Sequence, residues 1–278
     1  MMKRPRSLLV LAGLLPFLGG AYVESCDCSP DVFGGGSGGS GGSGSGGSAK
    51  PMNGLFTAAV TEIELEVDYA VGAAPFVGND PPFGRIWDVF QTNLEAMFRA
   101  HPKTYLIDDE LSEMERLTDV GGGDFDIERI LDIADLHRQA SDTATRRTFY
   151  VVFVDGYYKD ETGRRTDVLG VSIGKTAVIA MFKPVIEAQG RTAERIEQTT
   201  LVHELGHAVG LVDNGVPAQN DAHRDDPHGA HCTNPDCIMY WRNESGSDLL
   251  GWTGRKLLLA RQVLFDQDCL NDMAKAAE

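Results

Sequence analysis

Two histidines and a glutamate stand at a spacing that suits metal-dependent hydrolysis. His203 and His207 are four residues apart, so on a helix they lie one turn apart on the same face and can bind one ion. Glu204 is rotated about 100° from His203 around the helix, where it can act as a general base on a metal-activated water. The pattern predicts a zinc hydrolase with Glu204 as its catalytic residue.

Three further features favour a metal site over a chance pair of surface or core histidines. Gly210 stands at the next turn, where the helix is predicted to end. Histidines recur downstream within residues 223–231, and Met239 lies beyond them. A His-Glu-x-x-His pattern can arise by chance on any helix, but these companions favour a zinc hydrolase.

The stretch from His203 to Met239 resembles the zinc-binding signature of the metzincins, His-Glu-x-x-His-x-x-Gly-x-x-His or Asp, followed by a Met-turn. Gly210 matches the signature glycine, and Met239 matches the Met-turn methionine. The resemblance implies one catalytic Zn²⁺ ion and an α+β zincin-like domain with a mixed twisted sheet, an active-site helix and a C-terminal helix. It also implies that the strand near 176–182 is the edge along which an extended peptide pairs.

A more specific resemblance covers residues 231–239, which are similar to the archaemetzincin pattern His-Cys-x4-Cys-x-Met. In that family the histidine is the third zinc ligand, and the cysteines join two further cysteines around a second zinc. The later Cys-x-x-Cys is absent here and only Cys269 remains, so the resemblance does not imply a second zinc. Residues 211–230 look like a loop inserted inside the signature.

The third zinc ligand has two main candidates. Counting forward from Gly210 along the metzincin signature gives Asp213, whereas counting back from Met239 along the archaemetzincin pattern gives His231. Zinc binds either side chain. Asp213 precedes an Asn-Gly turn, where an aspartate often bonds its own backbone, and a long inserted loop costs little closure entropy. We therefore favour His231 as the third ligand beside His203 and His207.

The inserted loop carries groups that could bind a metal of their own. His223, Asp225, Asp226 and His228 offer imidazole and carboxylate donors for zinc or calcium. Either histidine is also a further candidate for the third ligand of the first site. We favour the simpler interpretation, a solvated polar loop.

Sequence patterns predict the elements that must position these groups. Alternation of charged and apolar residues over 62–69 predicts a half-buried strand, and the β-branched and aromatic run over 148–154 predicts another. Residues 104–107 and two segments within 168–182 are further predicted strands. Helices are predicted over 86–100, 125–138, 192–209 and most of 249–273. This order suits an α+β domain.

The N-terminal residues resemble an export signal. Basic residues precede the apolar run 8–18, which is shorter than the about 20 residues of a membrane span. Val23-Glu24-Ser25-Cys26 resembles a bacterial lipobox, in which the cysteine receives lipid. We predict a signal peptide over 1–25, with ordinary cleavage nearby or a permanent anchor helix as alternatives.

The residues after the predicted cleavage site would form a tether. Residues 34–48 are almost pure glycine and serine, which behave as a flexible coil. The tether is predicted over 26–50 and the metalloprotease domain over 51–278, in the cell envelope or outside the cell. Because export permits disulfides, Cys232 and Cys237 are predicted to form a small-loop disulfide.

Composition limits the partners of the domain. The chain of 278 residues has a formal net charge of −16, which argues against nucleic acid or an anionic membrane face as a partner. We expect a monomer that acts on peptides or proteins and meets a membrane only through lipid at Cys26. The competing hypothesis is a non-catalytic surface lipoprotein in which zinc is structural.

Overall fold

The computed structural model describes residues 54–80, 84–244 and 262–278. The predicted signal peptide and tether lie outside the described residues, as does the first part of the helix predicted over 249–273. In the described ranges, no helix combines the length and apolar character that a membrane crossing requires.

Strands and helices alternate along the described chain. The strands are β1 (Glu62–Ala70), β2 (Asn79–Asp80), β3 (Gly84–Arg85), β4 (Thr104–Ile107), β5 (Glu115–Leu117), β6 (Gly123–Phe125), β7 (Arg146–Val154), β8 (Gly156–Asp160), β9 (Gly163–Arg165), β10 (Gly170–Ser172) and β11 (Val178–Phe182). The helices are α1 (Asp88–Met97), α2 (Ile127–His137), α3 (Lys183–Glu187), α4 (Ala193–Ala208) and α5 (Gln267–Ala276). Each helix predicted upstream of the site is present, with shorter ends.

The main sheet has the strand order β10-β11-β7-β1-β4, and β5 pairs with the far end of β1. The β4–β1, β1–β7 and β7–β11 pairs are parallel, and the β11–β10 pair is antiparallel. Helices cover the sheet, so its central strands are buried, as a parallel sheet requires. The predicted α+β class with a mixed sheet, a site helix and a C-terminal helix is confirmed.

Two predicted features of this architecture are wrong. The strand near 176–182 is not the sheet edge, because β11 lies between β7 and β10. Among the described strands, β10 is the edge on that side of the sheet. The C-terminal helix does not include residues 262–266, because the Asp266 carboxylate accepts a hydrogen bond from the Cys269 backbone N–H at 2.9 Å and caps α5.

Helix α4, which carries the two spaced histidines, packs against β10, β11 and α1. A buried ion pair fixes its first half, since Lys183 Nζ lies 2.6 Å from Glu197 Oε2. The other Glu197 oxygen accepts the Phe76 backbone N–H at 2.7 Å, and the ammonium lies 3.4 Å from the centre of the Phe76 ring. Both groups are therefore satisfied inside the protein, and they tie α4 to α3 and to the segment that follows β1.

Lys183→Met is expected to destabilise the protein by about 3–5 kcal/mol, because it leaves the Glu197 carboxylate buried without its counter-charge. The double variant Lys183→Met/Glu197→Leu should recover most of that loss, because it removes both charges. Denaturant unfolding measures the effect, with Lys275→Met as a control in the exposed Lys275–Glu278 pair. A single variant as stable as the control would contradict this role for the pair.

Candidate metal centre

Three histidines from two parts of the chain meet at the C-terminal end of α4. One ring nitrogen from each of His203, His207 and His231 lies within 4.8 Å of the others. The Nε2 atoms of His203 and His207 are 3.1 Å apart, and the His231 ring centre lies 4.8 Å from that of His207. The structure thus brings together the three residues that we favoured from the sequence as ligands.

Hydrogen bonds orient the imidazoles of His203 and His231 from outside the group. His203 Nδ1 lies 2.7 Å from the Ile238 carbonyl oxygen, which also accepts a bond of 2.9 Å from Asn243 Nδ2. His231 Nδ1 lies 2.6 Å from the His228 carbonyl oxygen. A neutral imidazole that donates through Nδ1 presents a lone pair on Nε2, and such outer partners are typical of metal-binding histidines.

The donor set fits a zinc ion. Two nitrogens bound tetrahedrally at about 2.0–2.1 Å are roughly 3.3 Å apart, close to the 3.1 Å between the Nε2 atoms of His203 and His207. Burial and the neighbouring His203 and His231 lower the pKa of His207 well below its usual value. The imidazole is therefore neutral at ordinary pH, which is the form that binds a metal.

Two glycines shape the end of the site helix. Gly210 has a φ of +88°, a left-handed conformation that favours glycine, and it ends the turn that follows α4. Gly206, between the two histidines, faces Met239, since a Cβ added at Gly206 would lie 2.3 Å from Met239 Sδ. Met239 thus lies directly beneath the helix turn that carries the histidines, where the sequence placed the Met-turn.

Glu204 lies beside the edge strand of the sheet. Its side chain is buried, with 4% exposed, and a Cβ added at Gly170 of β10 would lie 3.1 Å from its Cγ. A Cβ at position 170 would also lie 3.0 Å from side-chain atoms of Met181 and Thr200, so glycine gives the strand its close approach to α4 without displacing these neighbours. No local pattern in the sequence marks Gly170, since only the folded sheet brings it to the site.

The alternative third ligands lie outside the three-histidine group. Asp213 is exposed and forms an ion pair with Arg224. His223 Nε2 lies 2.9 Å from Asp272 Oδ2. The His228 ring stacks on Trp241, with 4.0 Å between ring centres and 5° between the planes. The interpretation of the inserted loop as solvated holds for Arg224 and Asp226, whereas His223 is buried.

The cysteines form a second cluster next to the histidines. Cys232, Cys237 and Cys269 are buried free thiols, so the predicted Cys232–Cys237 disulfide is wrong. Cys237 Sγ instead lies 3.7 Å from Cys269 Sγ. Burial alone would raise the pKa of the Cys237 thiol, but hydrogen bonds from Cys232 and Cys269 hold it at about 5. The neighbouring thiols therefore favour a thiolate at Cys237.

No protein-family model matches the chain, and no curated protein matches it. Among solved structures, it is similar to archaemetzincin from Methanopyrus kandleri at 14% identity, covering 78% of this chain and 96% of that chain, with a TM-score of 0.41. A zinc-dependent peptidase from Methanocorpusculum labreanum is 16% identical, with coverages of 76% and 99% and a TM-score of 0.39. Archaemetzincin from Archaeoglobus fulgidus, complexed with malonate, is 14% identical, with coverages of 76% and 99% and a TM-score of 0.37. Because these similarities are distant, we base the functional conclusion on the geometry of the site.

Proposed function

We propose that this protein is a zinc-dependent peptidase in which His203, His207 and His231 bind one catalytic Zn²⁺ ion and Glu204 is the general base. The observation that supports it best is the meeting of three imidazole donors within 4.8 Å next to a buried carboxylate. A structural zinc site is closed by four protein ligands, whereas a catalytic site has three and an open position. Three donors in this group favour a catalytic site over the non-catalytic lipoprotein.

When bound, zinc would polarise the scissile carbonyl and acidify a water molecule. Glu204 would accept a proton from the attacking water as the water oxygen bonds to the carbonyl carbon. The same carboxyl group would then give the proton to the leaving amine as the C–N bond breaks. The position of the carboxylate beside β10, and not within the histidine group, suits a residue that moves protons and does not bind the metal.

An extended peptide would bind along β10. This strand is at the edge of the described sheet, and its Gly170 approaches Glu204. A strand added to such an edge gains main-chain hydrogen bonds whatever its side chains are, so these bonds give affinity without specificity. We propose that specificity comes from Tyr240 and Trp241, which follow Met239, with Trp241 stacked on the His228 ring.

Peptide hydrolysis should stop when a chelator removes the metal and return when zinc is added. The purified chain would be assayed on a mixed peptide library, with cleavage sites identified by mass spectrometry. Glu204→Gln, purified in the same way, controls for a contaminating protease. Hydrolysis that survives removal of all zinc would contradict the proposal, as would a zinc-loaded protein that cleaves no member of the library.

We further propose that the chain is exported and lipidated at Cys26, on the sequence evidence of a basic and apolar leader, a partial lipobox and a Gly/Ser tether. The expected result is a mature chain that begins at Cys26 and partitions with membranes. Cys26→Ser should release the protein into the soluble fraction. A mature N-terminus at another residue, in a protein that is soluble without this change, would contradict the assignment.

A further inference from the structure

Two of the three histidines in the metal centre face main-chain carbonyls that lie outside any α-helix or strand. The Ile238 carbonyl oxygen lies 2.7 Å from His203 Nδ1, and the His228 carbonyl oxygen lies 2.6 Å from His231 Nδ1. A carbonyl in this position sets the orientation and the tautomer of a metal-binding imidazole. Whatever fixes these two carbonyls therefore also fixes the ligands.

One end of a short turn holds the first carbonyl. Residues Trp241–Glu244 form a 3-10 turn, which we call the post-Met turn. Within it, Asn243 Nδ2 donates to the Ile238 carbonyl at 2.9 Å and to the Cys237 carbonyl at 3.0 Å. The asparagine is 1% exposed, and its backbone N–H donates to the Tyr240 carbonyl at 2.9 Å. Buried and bonded in this way, its side chain fixes the peptide that faces His203.

The other end of the post-Met turn contacts the inserted loop. The Trp241 ring stacks on the His228 ring, with 4.0 Å between the ring centres and 5° between the planes. On the same ring, His228 Nδ1 lies 2.9 Å from Asp225 Oδ2. The Asp225 backbone N–H donates to the His231 carbonyl at 2.7 Å. The loop therefore holds His231 through both its main chain and its side chain, and the stack fixes the residue whose carbonyl meets the imidazole.

We propose that the post-Met turn positions two of the three zinc ligands. It acts on His203 through Asn243, and on His231 through the stack of Trp241 on His228. These roles rest on the proposed function, because they require zinc at the three histidines. The inserted loop thereby supplies the support for the third ligand, and the post-Met turn joins that support to the one for the first ligand.

Zinc affinity of the full chain, measured by competition with a chromogenic chelator, tests the stack. His228→Ala removes the ring and keeps the carbonyl that meets His231, so affinity should fall by about 10-fold, the low end for an outer partner. Trp241→Ala should have the same effect. His228→Phe keeps a ring that can stack and should stay within about threefold of wild type. The matched control is His137→Ala, because this histidine also lies beside an aspartate, with Nε2 3.3 Å from Asp119 Oδ2.

A double variant shows whether the two rings act through one contact. Because both single changes break the same stack, His228→Ala/Trp241→Ala should bind zinc no more weakly than the weaker single variant. Two independent losses would instead multiply to about 100-fold. That result would overturn the stack as the route by which Trp241 positions His231.

Asn243→Ala should lower zinc affinity by about 10–100-fold, because the Ile238 carbonyl loses the donor that fixes it. Since the asparagine is buried, thermal unfolding of the zinc-free protein measures its effect on folding separately. Tyr150→Phe is the control for lost stability, because it removes one buried hydrogen bond, to Asp68. It should unfold at a lower temperature and keep its zinc affinity within about threefold of wild type. If Asn243→Ala behaves in the same way, the asparagine is only structural and its positioning role is wrong.

The zinc measurements separate this proposal from the proposed peptidase activity. A wild-type chain that binds zinc and cleaves no peptide would contradict the activity and leave the positioning roles standing. Wild-type affinity in both His228→Ala and Trp241→Ala would overturn the role of the stack, whatever the activity. A wild-type chain that binds no zinc would overturn both proposals.

Discussion

Glu204→Gln should abolish peptide hydrolysis and leave zinc bound. The substitution is nearly isosteric and removes only the group that accepts the proton from water. We expect kcat to fall by at least about 10²-fold, the scale of a general base. Zinc content should not change, because Glu204 is not a member of the three-histidine group. Steady-state kinetics on a cleaved peptide, together with metal analysis, measure both effects.

The matched control is Glu194→Gln, which makes the same chemical change in the first turn of the same helix. It should leave kcat within about twofold of wild type, because surface changes have small effects. If Glu204→Gln retains more than about a tenth of the wild-type kcat, the carboxylate is not the general base. If it loses zinc as well as activity, Glu204 supports the metal site and the mechanism needs revision.

Local sequence patterns predicted the strands and helices well where the burial of apolar side chains decides the structure. The β-branched and aromatic run over 148–154 predicted a strand, and in the fold β7 is a central strand that is buried on both faces. The alternation over 62–69 predicted a half-buried strand, but in β1 both Glu66 and Asp68 are buried. Asp68 accepts bonds from the Glu115 backbone N–H and the Tyr150 hydroxyl, and burial raises its pKa to about 6. These partners are distant in sequence, so alternation alone could not reveal them.

In the site too, local sequence patterns predicted some residues, whereas others depend on contacts between residues that are distant in sequence. The pairing of His203 and His207 follows from helix geometry, since four residues make about one turn. Asn243 donates a hydrogen bond to the Ile238 carbonyl oxygen beside His203, and no local pattern in the sequence marks this asparagine. Nor does any local pattern mark the contact of His223 with Asp272, which are 49 positions apart. Tertiary packing creates these contacts, and a single sequence without structure carries little information on them.

His231→Ala should lower the affinity of the catalytic site for zinc by at least about 100-fold, since the loss of even an outer partner costs about 10–100-fold. The physical reason is the loss of one of three nitrogen donors that lie within 4.8 Å. Asp213→Ala provides the contrast, because it tests the residue that the strict metzincin spacing selects. Its carboxylate is exposed and pairs with Arg224, so its removal should leave zinc affinity within about threefold of wild type.

Zinc competition with a chromogenic chelator measures both variants. If His231→Ala keeps wild-type affinity and Asp213→Ala loses it, Asp213 is the ligand. In that event the inserted loop must rearrange to release Asp213 from Arg224 and bring it to the metal.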